Sequence, residues 1–171
     1  MTKYNMFSEI AFGGPAMAGF KIRTAAQRDI GILVRQRHLM FEEMRHETAA
    51  QHKIGDDSSH EWATSMMEQG LFKCFLVTSE RGRVAAGGCL WLREEQPGPG
   101  HPARRTPYLM SMYMEPKFRG KGLGSLIVKK AQRWSNKRGY PHMSLHASKM
   151  GRKLYAKLGW KRIWEMAIDL E

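Results

Sequence analysis

The chain has 171 residues, of which 42% are hydrophobic and 10% aromatic; this suits one domain with a sizeable core and excludes global disorder. No apolar run approaches the roughly 18 residues that a bilayer-spanning helix needs. The formal net charge is +12, unevenly placed: residues 1–102 carry 12 Lys/Arg and 12 Asp/Glu, whereas residues 103–171 carry 16 and 4. The whole excess lies in the later part, which implies a polyanionic partner, either nucleic acid or a phosphate-rich cofactor.

In chain order, Met1 to Gly19 has neither a basic start followed by an apolar stretch nor a clear cleavage site, and reads as a loose extension ahead of one domain over residues 20–171. Phe20 to Thr24 reads as a strand. Thr24-Ala-Ala-Gln27 has capping-box spacing, and behind it Ile30, Leu33, Val34, Met40, Phe41 and Met44 share one helical face. Ser58-Ser-His-Glu61 repeats the capping pattern before Trp62 and Met66, which predicts the start of a second helix. Two strands follow, Leu71 to Ser79 and Val84 to Arg93, joined by the turn Arg81-Gly82-Arg83. The Pro- and Gly-rich stretch from Glu94 to Pro107 reads as a surface loop.

Tyr108 to Met114 is nearly continuously apolar, as in a strand covered on both faces, and Pro116 stops it. Gly122 to Arg138 reads as an amphipathic helix. His142 to Ala147 alternates as a strand. Met150, Leu154 and Leu158 mark a further helix closed by Gly159. Trp164, Met166, Ile168 and Leu170 alternate again, predicting a last strand. The fold class is therefore α/β, a mixed central sheet flanked by helices, in the order β-α-α-β-β-β-α-β-α-β.

Cys74 and Cys89 each lie in an apolar strand and read as buried free thiols, which fits a reducing cytoplasm. No Cys/His cluster has metal-ligand spacing, so no metal is expected.

Chemistry concentrates at Arg119-Gly-Lys-Gly-Leu-Gly124, between an apolar strand and an amphipathic helix. Glycines there let backbone amides approach an anion, and the helix start adds partial positive charge. Lys117, Arg119 and Lys121 add full charges. A Walker A loop would need Lys-Ser/Thr after the last glycine, and Ser125 follows Gly124 directly. A dinucleotide fingerprint would need an early first strand and an acidic residue about 20 positions on, where Gly139-Tyr-Pro stands instead.

Met112-Tyr-Met-Glu-Pro-Lys-Phe-Arg-Gly-Lys-Gly-Leu-Gly124 resembles the central motif of the GNAT acetyltransferase superfamily, Arg/Gln-x-x-Gly-x-Gly/Ala. Downstream, Leu154-Tyr-Ala-Lys-Leu-Gly-Trp160 is similar to that family's Leu-Tyr-x-x-Leu-Gly-Phe, with Trp for Phe. Ser148, Gly151 and Tyr155 match its Asn-x-x-Ala-x-x-x-Tyr spacing, with Ser for Asn and Gly for Ala. The resemblance covers about residues 108–165 strongly and the earlier part in outline.

The resemblance implies acetyl-CoA as cosubstrate. Backbone amides of Arg119, Gly120, Lys121, Gly122, Leu123, Gly124 and Ser125 would hold its pyrophosphate. Met112, Tyr113 and Met114 would offer backbone groups to the thioester and pantetheine arm, with Ser148 beside that arm. Tyr155 would protonate the departing thiolate. That role is physically reasonable, because a phenol of pKa about 10 is protonated at neutral pH and a thiol leaving group lies near 8.5.

An alkylamine of pKa about 10.4 must also lose a proton. The strand 108–114 has no carboxylate. The first helix offers Glu42, Glu43, His46 and Glu47, with Glu43 and Glu42 ranked first as base; His146 is a further candidate. Neutral-to-acidic helices over a basic half suit a cationic acceptor and an anionic donor.

The sequence thus predicts an N-acetyltransferase acting directly on a primary amine, with a small cationic amine such as a polyamine or antibiotic-like compound favoured. The alternatives are a protein lysine or N-terminal acetyltransferase, a cofactor-binding regulator, or a basic nucleic-acid-binding module. Against the last, aromatic residues do not interleave with Lys129, Lys130, Arg133, Lys137 and Arg138 as a stacking platform would. A homodimer is compatible with the sequence, and no membrane partner is expected.

Overall fold

The computed structural model describes residues 19–44, 48–98 and 105–168. The extension expected before residue 19, the candidates His46 and Glu47, and Leu170 lie outside the described residues. The elements are β1 (Phe20–Thr24), α1 (Ile30–Met44), α2 (Ala49–Glu68), β2 (Phe72–Ser79), β3 (Val84–Glu94), β4 (Arg105–Met114), α3 (Leu123–Lys137), β5 (Ser144–Leu145) and α4 (Arg152–Lys157). Five strands form one sheet in sequence order, with β1 to β4 antiparallel and β5 parallel to β4.

Strand period explains the two cores. On β2, Phe72, Cys74 and Leu76 turn to one face and meet Ile30, Leu33 and Ala63 of α1 and α2. Phe75 and Val77 turn to the other and meet Leu123, Ile127, Val128 and Ala131 of α3, with Tyr155 of α4. The sheet therefore separates a face under α1 and α2 from a face under α3 and α4.

The capping signals resolve differently from the expectation. Helix α2 is capped ten residues before Ser58: Thr48 Oγ1 accepts the Gln51 N–H at 3.3 Å and Gln51 Oε1 accepts the Thr48 N–H at 2.9 Å. The sequence holds two boxes of the same type, and the earlier one has helix-forming alanines behind it. Ser58 and Ser59 consequently sit inside α2. At the entry to α1, Asp29 replaces the expected Thr24–Gln27 pair: its carboxylate accepts the Ala26 N–H at 2.8 Å and both Arg23 Nη atoms at 2.7 Å. The bidentate guanidinium holds the Asp29 carboxyl down to about 2 and fastens β1 to α1.

Two strand expectations also change. Pro107, read as loop, lies within β4 opposite Leu92. The expected last strand is absent among the described residues: 161–168 form no ladder, and Trp164, Met166 and Ile168 stay exposed. Alternation needs a partner edge to become a strand, and β5, with two residues where the sequence predicts six, offers almost none.

Candidate active site

Strand β4 carries a defect that shapes the site. Met110 pairs with Cys89 and Tyr113 with Gly87, so Ser111 and Met112 together oppose Gly88. Ser111 takes φ +51°, the left-handed region, and this bulge bends the strand. Beyond it β4 and β5 part, having paired only at Tyr108–Ser144 and Leu109–Leu145. Gly88 permits the bulge, because a Cβ there would collide with Met112 Sδ and Ile127. The sequence marks the bulge only by one serine in an apolar run and by the Gly87-Gly88 pair opposite.

After β4, a short turn from Pro116 to Phe118 leads into the glycine loop. Gly120 at φ +74° and Gly122 at φ +78° occupy the left-handed region, and a Cβ on Gly120 would meet no neighbour, so conformation and not crowding requires glycine there. Gly124 has a different reason: its Cβ would lie 2.9 Å from Leu154, so it lets α3 approach α4. The first bond in the α3 ladder runs from Leu126 N–H to Gly122 O at 3.1 Å. The amides of Leu123, Gly124 and Ser125 therefore precede the ladder at a helix start. Together with the Lys117, Arg119 and Lys121 charges, this loop fits an anionic diphosphate.

Arg119 is tied into the frame. Its Nε donates to Met114 O at 3.0 Å and its Nη2 to Glu43 Oε1 at 2.5 Å, while Tyr113 OH reaches the same carboxylate oxygen at 3.4 Å. The pairing with Glu43 raises the Arg119 pKa. Glu43 thus joins the end of α1 to the glycine loop. Glu42 faces away, 3.5 Å from His38 Nε2. His146 bonds the Tyr108 hydroxyl through Nδ1 and lies 2.8 Å from Glu165 through Nε2, both side chains being largely exposed.

Tyr155 is buried on the inner side of α4, against Trp160 and the Gly151 backbone. Burial pushes its pKa up to about 12, so the phenol is protonated at neutral pH. Ser148 caps the turn into α4, its Oγ accepting the Gly151 N–H at 3.2 Å.

On the opposite face, α1, α2, β3 and β4 enclose a cavity of about 520 Å³. Its walls are mainly apolar, with Trp62, Phe72, Trp91 and Met110; Ser111 brings the bulge to its edge, and no carboxylate among the described residues lines it. Arg37 lies on it, with Nε on Ser59 Oγ at 3.2 Å and its guanidinium 4.5 Å from the Phe41 ring centroid. Gln36 also lines it, at 2% exposure, with neither side-chain amide atom hydrogen-bonded among the described residues. Leaving such a group unpaired costs about 1–3 kcal/mol. In the sequence Gln36 is marked only as a polar residue on the inward stripe Ile30, Leu33, Gln36.

Cys74 and Cys89 oppose each other on β2 and β3, both free and buried. Burial, with Cys89 adjacent, pushes the Cys74 thiol well up, which suits packing more than nucleophilic work. Among the described residues no group of His, Cys, Asp or Glu is arranged to hold a metal, and no helix is long and apolar enough to cross a membrane.

A mixed sheet that splits beside a glycine-rich anion loop defines the class of fold used for acyl-coenzyme A chemistry. The model of the acetyltransferase (GNAT) family matches residues 38–160, and the chain belongs to that family as an acyl-CoA-dependent N-acetyltransferase. It is similar to a GCN5-related N-acetyltransferase from Ralstonia eutropha, with 28% identity and a TM-score of 0.81 over 89% of this chain and 99% of that one. A predicted acetyltransferase from Clostridium acetobutylicum, solved with acetyl-CoA, shares 23% identity at TM-score 0.76, covering 89% and 96%. A glucosamine-6-phosphate N-acetyltransferase from Arabidopsis thaliana shares the fold at 18% identity and TM-score 0.63, covering 88% and 97%. No curated protein matches the chain by sequence.

Proposed function

We propose that the protein transfers the acetyl group of acetyl-CoA directly to a small primary amine seated in the cavity under α1 and α2. The observation that carries this reading is the Ser111 bulge. It forms one edge of the acceptor cavity, and the same strand runs on through Met114 towards the glycine loop. A thioester delivered along the parted β4 edge meets the amine at that point.

The amides from Gly120 through Ser125 hold the pyrophosphate; the Arg119 amide, expected to join them, donates instead to Pro116 O at 3.3 Å. Main-chain groups of Met112, Tyr113 and Met114 align the pantetheine arm, with Ser148 across the gap. The amine nitrogen attacks the thioester carbonyl, the carbon–sulfur bond breaks, and Tyr155 donates its proton to the leaving sulfur. The products are the N-acetyl amine and the free thiol. The amine's own proton leaves to water at the cavity mouth, and water returns a proton to Tyr155. Glu43 is held by Arg119, so its part in this reading is to position that arginine. Glu42 sits on the solvent side, where a proton can be passed on.

The charge split favours a cationic acceptor such as a polyamine or an antibiotic-like amine, but among the described residues the cavity walls are mainly apolar and aromatic and hold no carboxylate. An amine on an apolar or aromatic body suits those walls better than a polycation. The two free cysteines suit a reducing compartment such as the cytoplasm.

The test is a panel of amines incubated with acetyl-CoA and read by release of free thiol. Aromatic monoamines such as phenethylamine and tryptamine should be acetylated faster than spermidine or kanamycin. Thiol release with none of them, nor with peptides bearing a free N-terminus or lysine, would sink the reading.

A further inference from the structure

The cavity contains a feature that packing alone does not explain. Position 36 lies three residues beyond Leu33 on the buried stripe of α1, where leucine would complete the core. Gln36 stands there instead, with both amide atoms unpartnered among the described residues. Space has been made for it. A Cβ on Gly87 would collide with Gln36 Oε1 and lie 3.1 Å from Leu76, so β3 gives up a side chain where the amide rests. The chain thus buries a polar group in the cavity wall and clears room for it.

We propose that the Gln36 side-chain amide is the specificity-determining contact of the acceptor site, selecting an apolar amine that carries an uncharged carboxamide. This deepens the functional reading above and rests on it. A primary amide presents one donor edge and one acceptor edge side by side. A carboxamide satisfies both at once. An ammonium can only donate and a carboxylate can only accept, so each leaves half of Gln36 unpaired. Trp62, Phe72, Trp91 and Met110 surround the pair with apolar surface, where a matched hydrogen bond gains strength and a mismatch is penalised most. Sites built to bond a substrate polar group reject the analogue that lacks it far more strongly than apolar pockets reject a missing methylene.

The experiment compares phenylalaninamide with phenethylamine, which share an aromatic body and a primary amine and differ by the carboxamide. In the unaltered protein, kcat/KM for phenylalaninamide should exceed that for phenethylamine by tenfold or more. In Gln36→Leu the two values should converge, with KM for acetyl-CoA unchanged and the melting temperature of the unliganded protein equal or higher, because an unpaired buried amide has been removed. Equal values in the unaltered protein, or a preference that survives in Gln36→Leu, would overturn the proposal. So would a lower melting temperature with both amines declining together, since that marks a structural glutamine. If Gln36→Leu does not fold, Gln36→Met decides, because it keeps the length and volume but loses both donor and acceptor: loss of the preference supports the proposal and its persistence overturns it. Should no amine be turned over, the functional reading fails separately. Gln36 is then judged by thermal shift with coenzyme A present: stabilisation by phenylalaninamide but not phenethylamine, abolished in Gln36→Leu, supports it, and any other pattern overturns it.

Discussion

The two faces of the sheet are built by different rules. The face under α3 and α4 carries its chemistry in the backbone, through left-handed glycines and amides at a helix start. The face under α1 and α2 carries its chemistry in side chains, with aromatic walls and one buried amide. Backbone devices need particular residues at fixed spacing, so they leave a motif. Side-chain pockets can be made in many ways and leave none. An acetyl donor that never changes can be held by the first kind of site, while an acceptor that differs between proteins is met by the second.

The largest break in this comparison comes from Tyr155→Phe. The ring still packs against Trp160, but the proton that the proposed mechanism passes to the leaving sulfur is gone. Turnover should fall about 10²- to 10⁴-fold, by the same factor for every acceptor, with acetyl-CoA affinity little changed in a direct binding measurement. A loss confined to some acceptors would place Tyr155 on the acceptor side instead.

Next in size is Gly122→Val. The left-handed φ of +78° is costly for any L-residue, at about 1–2 kcal/mol, and more so for a β-branched one. Calorimetry should show acetyl-CoA binding weakened roughly tenfold. Affinity for the acceptor, measured separately, should stay the same. Together with Tyr155→Phe this splits the donor face into holding and chemistry.

Glu43→Gln probes the joint between the faces. As the partner of Arg119 at 2.5 Å, Glu43 orders the glycine loop. Its loss should raise KM for acetyl-CoA about two- to tenfold, in keeping with a partly exposed pair at the lower end of charge-assisted bonds. The pH profile of kcat should keep its shape. A fall in kcat with a displaced acidic limb would instead make Glu43 the base.

Legibility followed the same division. The glycine loop, the helix behind it, the turn at Gly82 and the Gly159 helix end all rest on local conformational demands, and the structure has them where the residues predict. What escaped depended on distant partners. Thr48 and Ser58 look equally able to cap, and only packing of the whole helix decides between them. The alternation at 164–168 is a strand pattern without an edge to complete it. Ser111 looked like part of an apolar run, because a bulge is a property of two strands. Gln36 is set apart only by Gly87, fifty-one positions on, which makes room for its amide.

The smallest effect concerns how α1 and α2 stay together at the cavity rim. His38 Nδ1 lies 2.8 Å from Asp56 Oδ2, with Glu42 on its other nitrogen and the tilted His52 ring 4.6 Å away between centroids. The hydrogen bond to Asp56, assisted by the charges of Asp56 and Glu42, raises the His38 pKa above its usual 6.5. A group raised on folding stabilises fully below its unfolded pKa, and that contribution disappears as pH rises through the folded value. The pair is partly exposed, so it is worth less than about 1 kcal/mol. Melting curves from pH 5.5 to 8.5 should therefore show the unaltered protein losing a few degrees relative to His38→Gln as pH rises, with the two converging at the alkaline end. The acceptor should feel this change through its KM, because Arg37, Gly55, Ser58 and Ser59 flank the same contact, whereas KM for acetyl-CoA should not move. Equal pH responses of the two KM values would mean that the faces are coupled through the sheet and not built independently.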